Sequence, residues 1–392
     1  MVWNWQRPDW PDFSWNPGIL RRAEEQFLLG GGRFAGSFGH LDAGDRDQLT
    51  IAALSNEALT TSQIEGETLD RASVQSSIRR QLGLGADKRR IAPAEQGVAE
   101  MTVDLYRAFD RPLTDRTLFG WHRMLMNGRR DIATIGSYRK DEEPMQIVSG
   151  AVHDPKVHFE APPSTQVPRE MERFIAWYNE TAPDGPSPLP ALTRAGIAHF
   201  HFECIHPFED GNGRIGRAIA EKALAQGLGH PSLTALAATI LARRKAYYAA
   251  LELANTEIEL TDWLRWFAAT AIEAQRRTAV LIEFLLDKTQ LMDRMRGALN
   301  ERQEKALLRV LQEGPGGFKG GLSAGNYATI TGASTATATR DLSDLVAKGA
   351  LIRSGERRHA RYRADIPLRP VASVTIVAEG QIVETPPRLS SG

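Results

Sequence analysis

Cysteine is almost absent from this chain of 392 residues, which contains Cys204 alone. No disulfide can form within the chain, and such a composition is typical of a reducing compartment. An excess of charge is absent too, because 48 lysines and arginines balance 48 aspartates and glutamates. A neutral chain has no overall field that attracts nucleic acid or an anionic membrane, so any nucleic-acid contact must be local.

Long hydrophobic runs and a targeting segment are also missing. No stretch approaches the roughly 18 consecutive apolar residues of a membrane span. The first ten residues, MVWNWQRPDW, have neither the basic nor the apolar region of a signal peptide. We therefore expect a cytoplasmic protein with no membrane partner. Its length suffices for two or three domains of roughly 100–200 residues each.

Helical patterns dominate the chain and divide it into four predicted segments. Residues 1–93 form an arm with four tryptophans and then a helical region, and residues 94–285 form the largest helical segment. Residues 298–366 follow the order helix, helix, turn, helix and hairpin, which is typical of a winged helix. Residues 367–392 lack a helical period and are predicted to form a partly extended tail.

One stretch of the largest segment departs from the helical pattern. In PMQIVSGAVHDPKVHFEAPP, two β-prone runs flank a Gly/Asp/Pro turn, which predicts an inserted hairpin. The predicted fold class is therefore all-α, with a core that carries an inserted β-hairpin and a C-terminal winged-helix domain.

The most informative stretch is HPFEDGNGRIGR, from His206 to Arg217, because packing needs none of its polar groups. Apolar helical patterns on both sides place it in the turn between two buried helices. Gly211, Asn212 and Gly213 then lie where the second helix begins. Free N–H groups and the positive end of the helix dipole bind anions at such a position, phosphate above all.

Charged residues in this turn indicate what a bound phosphate would do there. Arg214 and Arg217 lie in the first turns of the helix, where the dipole disfavours cations and where they repel each other. A polyphosphate would relieve both penalties. Asp210 could then hold Mg²⁺, and His206 could take a proton from a hydroxyl. The alternative is a tight structural turn with solvated arginines, but so many elements together favour nucleotide phosphate chemistry.

This stretch resembles the motif of the Fic family, in which a His, an aromatic residue, an acid, Gly-Asn-Gly-Arg and a second Arg stand at fixed spacing. The flanks AHFHFECI and YYAALELAN and the hairpin ahead of the motif are also similar to Fic proteins, over roughly residues 94–285. The resemblance implies a Fic core that transfers AMP from ATP, with Mg²⁺, to a Ser, Thr or Tyr hydroxyl. The acceptor would be a target protein or the enzyme itself.

The resemblance also assigns roles to single residues. It implies that His206 deprotonates the target hydroxyl, that Asp210 coordinates the metal, and that ATP is bound by Asp210, Gly211, Asn212, Gly213, Arg214, Ile215, Gly216 and Arg217. The family's hairpin positions the target and borders the nucleotide, and it maps onto Val157, His158, Phe159 and Glu160. Three residues match the adenosine side, with ordinary helix packing as the alternative: Tyr247, Tyr248 and Asn255.

A second stretch, TTSQIEGE, places a carboxylate where local rules disfavour it. Glu65 is predicted to end a helix, where the dipole disfavours an anion by roughly 0.3–1 kcal/mol. Thr61 lies on the same helix face. From the residues alone Glu65 is a surface side chain, but the stretch resembles the inhibitory motif of Fic proteins. That resemblance implies that Glu65 pairs with Arg217 and blocks the γ-phosphate. In some relatives this glutamate supports removal of AMP, so the reverse reaction stays open.

A basic turn in the winged-helix segment supports a rival interpretation. Its arginines suit a nucleic-acid backbone: Arg353, Arg357, Arg358, Arg361 and Arg363. The candidate recognition helix, however, offers only Arg340 for base readout and carries Asp341 and Asp344, which repel phosphate. We therefore favour dimerisation or target docking over DNA binding for this segment.

Two alternatives to AMP transfer stay open. One is a DNA-binding regulator whose Fic core only senses nucleotide, although sensing does not require a base such as His206. The other is an enzyme that transfers another phosphate-containing group, as some relatives do, although the complete motif favours AMP. Relatives often self-associate, which leaves a homodimer open, and the sequence does not name the target.

Overall fold

The structure is a computed structural model that describes residues 2–85, 88–151, 154–314, 317–318 and 320–386. These residues are mostly helical, which confirms the predicted fold class. They form two compact units, one with the chain up to Arg276 together with Ser373–Thr385, the other with Arg277–Ala372. None of the described helices combines the length and the apolar character needed to cross a membrane.

The N-terminal arm is anchored by two buried tryptophans. A short 3₁₀ turn at Asn4–Gln6 is flanked by Trp3 and Trp10, whose side chains are buried. Trp3 meets the ring of Phe159 edge to face at 5.3 Å, and the indole N–H of Trp10 donates to Glu170 at 2.8 Å. A large apolar ring with a satisfied N–H is the stable arrangement for buried tryptophan.

Five helices follow the arm: α1 (Pro17–Gly39), α2 (Ala43–Ile64), α3 (Arg71–Leu82), α4 (Pro93–Arg107) and α5 (Asp115–Leu125). Asp42 caps α2 by accepting a hydrogen bond from the N–H of Asp45, and Asp70 caps α3 in the same way. After Ile64 the chain turns at Gly66, whose φ is 88°. The left-handed glycine confirms the predicted end of α2.

Six further helices follow among the described residues: α6 (Val167–Glu180), α7 (Ala191–Ile205), α8 (Asn212–Leu228), α9 (Leu236–Ala242), α10 (Arg244–Ala254) and α11 (Thr261–Arg294). The last of them, α11, starts in the first unit and ends in the second. α7 is buried on nearly all sides because its sequence is apolar all round. It packs along α8, so the core holds both sides of the turn that joins them.

A hairpin is inserted between α5 and α6, as predicted. β1 (Gln146–Ala151) and β2 (Asp154–Glu160) pair antiparallel, and the pairing register shifts between Ile147 and Val148. Phe159 is buried in the core, whereas Val148 is exposed. The hairpin is therefore fixed at the end of β2 and accessible nearer its tip.

The predicted boundary between residues 93 and 94 does not separate two units. α2 packs against α4, α8 and α9, and its buried side chains join the same hydrophobic core as those of the motif helices. The helices that precede the boundary bury their apolar faces in the same core as the helices that follow it. The segment 1–93 and the segment 94–285 therefore share one core, apart from the end of α11.

In the second unit, the end of α11 is followed by three helices and a hairpin among the described residues: α12 (Glu301–Leu311), α13 (Ala324–Thr331), α14 (Thr335–Ala347), β3 (Leu351–Ser354) and β4 (Arg361–Ala364). Their order is the one predicted for residues 298–366. Gly332 ends α13 with a φ of 74°, Ser334 caps α14 by accepting from the N–H of Thr337, and Gly349 follows with a φ of 69°. The interpretation as a winged helix stays a prediction.

The C-terminal segment 367–392 differs from the predicted extended tail. β5 (Ser373–Ile376) and β6 (Ile382–Thr385) form an antiparallel hairpin that belongs to the first unit. Val374 is fully buried there, so the hairpin is held by the hydrophobic core. The remainder of this prediction, residues 387–392, lies outside the described ranges.

Candidate active site

The predicted site is the turn between α7 and α8. His206 follows the last residue of α7 in a left-handed conformation, with φ 48° and ψ 61°. Gly211, with φ 83°, precedes the first residue of α8. Asn212 closes the turn, because its side chain accepts from the N–H of Phe208 at 2.9 Å and donates to the carbonyl of Phe208 at 2.8 Å. The side chain of Asn212 is thus committed to the turn, and only its main chain can serve a phosphate.

His206 is placed to act as a neutral base. Burial first, and then the charge of Arg139, lower the pKa of His206 to about 4, against the opposing effects of the Glu203 carbonyl, Glu65 and Asp210. The Nδ1 atom lies 3.3 Å from the Glu203 carbonyl. A proton on Nδ1 would satisfy that carbonyl and leave Nε2 as the nitrogen that can take a proton.

The predicted ion pair between Glu65 and Arg217 is present. Arg217 is 1% exposed, and its Nη2 lies 2.6 Å from Oε1 of Glu65. Its Nε donates to the hydroxyl of Thr61 at 2.8 Å, and Nη2 also donates to the Thr61 carbonyl at 3.0 Å. Burial opposes the charge of Arg217, but Glu65 holds its pKa above the ordinary value. Thr61, in α2, and Glu65, at the end of α2, therefore both bind Arg217, as expected for two residues on one face of a helix.

Glycine at position 213 shows how closely Glu65 approaches the start of α8. A Cβ placed on Gly213 would lie 2.2 Å from Oε1 of Glu65. The carboxylate therefore occupies the space directly over the first turn of the helix, where the sequence predicts that phosphate binds. Gly216 has a different role, since a Cβ there would lie 2.3 Å from Oε1 of Glu203 on the packed face of α7.

Arg214 has a carboxylate partner that sequence reasoning missed. Its side chain is buried, and its Nη1 lies 2.7 Å from Oε2 of Glu67, which follows Gly66. A weaker contact of 3.4 Å joins Nη2 to Asp210. Glu67 is the second acid of TTSQIEGE, two residues after Glu65, and that spacing was the available signal. One short segment therefore supplies a carboxylate to each of the two motif arginines.

Asp210 is held by a second arginine that the sequence analysis did not name. Nη1 of Arg129 lies 2.8 Å from Oδ2 of Asp210, while Nε and Nη2 of Arg129 grip both oxygens of Asp131 at 2.8 and 2.7 Å. Although burial opposes ionisation, Arg214, the N–H of Gly211 and Arg129 hold the pKa of Asp210 below its ordinary value. Asp210 is therefore an ionised carboxylate at neutral pH.

The turn offers groups suited to a metal ion and to phosphate. The described residues contain no group of three or more His, Cys, Asp or Glu side chains that could hold a metal ion. A single ionised carboxylate fits Mg²⁺, which takes one or two carboxylates and completes its shell with phosphate oxygens and water. Nε of Arg214 and Nη1 of Arg217 are buried without a hydrogen-bond partner among the described residues. A phosphate oxygen would satisfy such donors.

The mapped hairpin residues divide into buried and accessible ones. Phe159 packs against Trp3, and its side chain is buried. The ring of His158 contacts Ser149 and Glu252. Glu160 accepts a hydrogen bond from the side chain of Gln146 at 2.8 Å. Val157 is exposed and is the mapped side chain most open to a target segment.

The residues mapped to the adenosine side mostly serve packing. Tyr247 is buried, with its hydroxyl 2.9 Å from Nε2 of His199. Asn255 is buried as well, and its Oδ1 lies 3.9 Å from Sγ of Cys204. Tyr248, 40% exposed, is the accessible member of the three. The packing alternative therefore describes the surroundings of Tyr247 and Asn255. Ile215, from the motif itself, is fully buried in the core.

These contacts define an anion site at a helix start, with two buried arginines, one carboxylate suited to Mg²⁺ and a neutral imidazole. Comparison with known proteins shows which family has a motif of this kind. The sequence profile of the Fic/DOC family matches residues 112–224, and that of a domain of unknown function (DUF4172) matches residues 3–84. The chain therefore carries a Fic/DOC family domain at residues 112–224.

Relatives agree with the family match, and a solved structure agrees with the fold. The chain is 26% identical over 209 residues to the protein adenylyltransferase Fic of Drosophila sechellia and 25% identical over 240 residues to that of Drosophila erecta. These matches cover 52% and 57% of the chain but only 38% and 44% of the relatives, so it spans about two fifths of their length. A crystal structure of a Fic family protein from Desulfovibrio desulfuricans, 21% identical, covers 90% of this chain and 98% of that chain with a TM-score of 0.51, which shows the fold.

Proposed function

We propose that the chain is a protein adenylyltransferase that moves AMP from ATP to a hydroxyl group of a target protein and that Glu65 holds it inactive. The observation that carries this proposal is the ion pair between Glu65 and Arg217 over the first turn of α8. The name protein adenylyltransferase, which the Drosophila relatives carry, supports the choice of AMP as the transferred group. A Ser, Thr or Tyr side chain of another protein, or of the enzyme itself, would be the acceptor.

In this proposal His206 begins the chemical step. Its neutral imidazole takes the proton of the target hydroxyl, and the oxygen attacks the α-phosphorus of ATP. The bond between the α-phosphorus and the bridging oxygen breaks, and pyrophosphate leaves with the bonding electrons. An imidazole whose pKa is lowered to about 4 is already unprotonated at neutral pH, so the base is available without a preceding step.

The phosphates of ATP would lie at the start of α8. Main-chain N–H groups and the helix dipole favour the negative charge there, and Arg214 and Arg217 would bind the outer phosphates through their guanidinium groups. Asp210 would hold Mg²⁺, which neutralises phosphate charge when it is bound. Arg129 has to yield part of its contact with Asp210 to the metal, because both use the same carboxylate.

Inhibition follows from competition for Arg217. Nη2 of Arg217, which binds the Glu65 carboxylate, is not available to the γ-phosphate, and the carboxylate lies where it would repel the phosphate charge. ATP would then bind without the placement needed for attack on the α-phosphorus. The same carboxylate could assist removal of AMP from a modified target, which is the reverse reaction that the resemblance leaves open.

The donor nucleotide tests the transferred group. Glu65→Gly protein, Mg²⁺ and cell lysate are incubated with ATP labelled at the α-phosphate, with ATP labelled at the γ-phosphate, and with α-labelled GTP, CTP and UTP. AMP transfer predicts protein-bound label from α-labelled ATP alone. Label from the γ-phosphate would mean phosphate transfer, and label from another nucleotide would mean a different donor.

Glu67→Gln is expected to raise AMP transfer by up to about 5-fold. The substitution removes the charge that occupies Arg214, and a partly exposed ion pair contributes about 0.2–1 kcal/mol, where 1.4 kcal/mol is tenfold. Initial rates of label transfer measure the effect. Glu25→Gln, at an exposed position of α1, is the control and should leave the rate unchanged. A rate for Glu67→Gln equal to that of the control would show that Glu67 does not restrain the enzyme.

A DNA-binding role for the second unit has one observation in its favour. Asp341 was expected to repel phosphate, but it is buried and accepts hydrogen bonds from Arg302 at 3.0 Å and from the Tyr327 hydroxyl at 2.9 Å. Asp344 is engaged as well, by Lys348. Both carboxylates of α14 are thus paired, which weakens the objection from charge.

Retardation of random and genomic DNA fragments, at low and at physiological salt, tests DNA binding. If the second unit does not bind DNA, the mobility of the fragments will not change. If it contacts phosphates, it will retard the fragments, and the binding will weaken steeply with salt. Arg340→Ala is the matched variant for base readout. The described part of the basic turn includes the side chains of Arg353, Arg357 and Arg363, while that of Arg358 lies outside it.

A further inference from the structure

Arg139 is a buried arginine whose partners are main-chain carbonyl groups. It lies between α5 and the hairpin and is 2% exposed. Its Nε donates to the carbonyl of His206 at 2.8 Å, and its Nη2 donates to the carbonyl of Pro162 at 2.5 Å. Its main-chain N–H donates to the carbonyl of Pro207 at 2.9 Å. Burying a charge is costly, and these contacts offset the cost with hydrogen bonds instead of a carboxylate.

The contacts of Arg139 surround a strained residue. A non-glycine residue with a φ of 48° is uncommon, and such a strained conformation persists only where the surrounding contacts fix it. Arg139 binds the carbonyls of His206 and of Pro207, which belong to the two successive peptide groups after the Cα atom of the strained residue. It thereby removes the freedom of this turn to relax into an ordinary helix end.

We propose that Arg139 is a positioning residue: it fixes the left-handed turn that carries His206 and ties this turn to the chain that leaves β2. The inference rests on the proposed role of His206 as the base. Pro162 follows the end of β2 by two residues. The same guanidinium therefore binds the main chain of His206 and the main chain next to the hairpin, and fixes the position of one relative to the other. The hydroxyl of a target segment near the hairpin and the nitrogen that deprotonates it would then keep a fixed separation.

The charge of Arg139 acts on His206 as well. The charged and polar groups that face the imidazole are Arg139, Asp210, the Glu203 carbonyl and Glu65. Burial and then Arg139 lower the pKa of His206, whereas the other three raise it. Replacing Arg139 by a neutral residue should therefore raise this pKa. Since a base works unprotonated, the loss of rate on acidification should then begin at higher pH.

The test compares Arg139→Gln and Arg139→Lys in the Glu65→Gly background. For Arg139→Gln we expect kcat to fall about 10²-fold, which is the cost of misplacing a reacting group. The dissociation constant of ATP should change by less than about 3-fold, which is well under the tenfold change that 1.4 kcal/mol represents. The histidine ring signals in NMR should show a higher pKa for His206. Arg139→Lys keeps the charge, so it should leave that pKa in place and restore part of kcat.

Arg194→Gln is the matched control. Arg194 is 1% exposed and, like Arg139, donates to a main-chain carbonyl, that of Tyr178, at 2.7 Å. It contacts neither His206 nor the motif in the hydrogen bonds described. Its loss should lower the melting temperature without moving kcat or the pKa of His206. Equal losses of kcat and of stability in the two glutamine variants would overturn the inference, because they would show a general packing role.

Two further outcomes decide the remaining cases. If Arg139→Gln does not fold, Arg139→Lys decides alone. AMP transfer by Arg139→Lys with an unchanged pKa of His206 supports the inference. A kcat equal to that of the Glu65→Gly parent together with a raised pKa of His206 overturns it. If even Glu65→Gly transfers no AMP, the proposed function fails. The NMR titration of His206 then still tests Arg139, and an unchanged pKa in Arg139→Gln overturns the inference independently of activity.

Discussion

Replacing Glu65 by glycine is expected to raise the rate of AMP transfer by roughly 10- to 100-fold. A hydrogen bond between charged groups contributes about 1.5–3 kcal/mol, and each 1.4 kcal/mol corresponds to a factor of ten. The variant frees Nη2 of Arg217, which Glu65 now binds at 2.6 Å, for the γ-phosphate. Initial rates of transfer from α-labelled ATP to lysate protein measure the gain.

Glycine also loosens the chain, so the gain needs a matched control. Gln63→Gly places glycine in the last turn of α2, at an exposed position away from Arg217. It should not activate the enzyme. Glu65→Gln removes the charge while it keeps the shape, and we expect it to activate partly. Activation by Gln63→Gly to the level of Glu65→Gly would show that flexibility of the segment, and not the carboxylate, restrains the enzyme.

Loss of His206 is expected to lower transfer by about 10²- to 10⁴-fold in the Glu65→Gly background, the range that a positioned base contributes. The affinity for ATP should persist, because in the proposed mode of binding the phosphates would contact the start of α8 and the arginines. Stopped-assay rates and calorimetric ATP titrations separate the two quantities. A variant that loses transfer and ATP binding together would indicate a collapsed turn instead of a missing base.

The choice of substitution at His206 follows from its backbone. Alanine is strained at a φ of 48°, whereas asparagine adopts the left-handed region readily and cannot serve as a base. His206→Asn is therefore the cleaner variant, with His206→Ala beside it. If His206→Asn retained the rate of its parent, His206 would not be the base, and the chemical step proposed above would be wrong.

The sequence predicted those parts of the site that local rules determine. The helix that was predicted to end at Glu65 does end there, because Gly66 adopts the left-handed conformation that suits glycine. The motif turn was found because its polar groups conflict with packing between two apolar helices. The pairing of Glu65 with Arg217 came from a resemblance, since their separation along the chain gives no local signal.

What the sequence could not predict depends on contacts between distant segments. Arg129 and Arg139 lie in an irregular connection, where side-chain partners follow from the path of the chain and not from any period. In the sequence, no feature of Glu67 distinguishes it from a surface acid, and its pairing with Arg214 is evident only from their distance in the structure. The C-terminal hairpin was missed because four-residue strands give too little alternation to predict.

The most direct measurement compares wild type, Glu65→Gly and Glu65→Gly/His206→Asn side by side with Mg²⁺ and α-labelled ATP, on the protein itself and on cell lysate. We predict weak or no label with wild type, strong label with Glu65→Gly, and none with the double variant. Equal label with wild type and Glu65→Gly would contradict the inhibitory role of the ion pair. No label with any of the three, despite measurable ATP binding, would contradict AMP transfer itself.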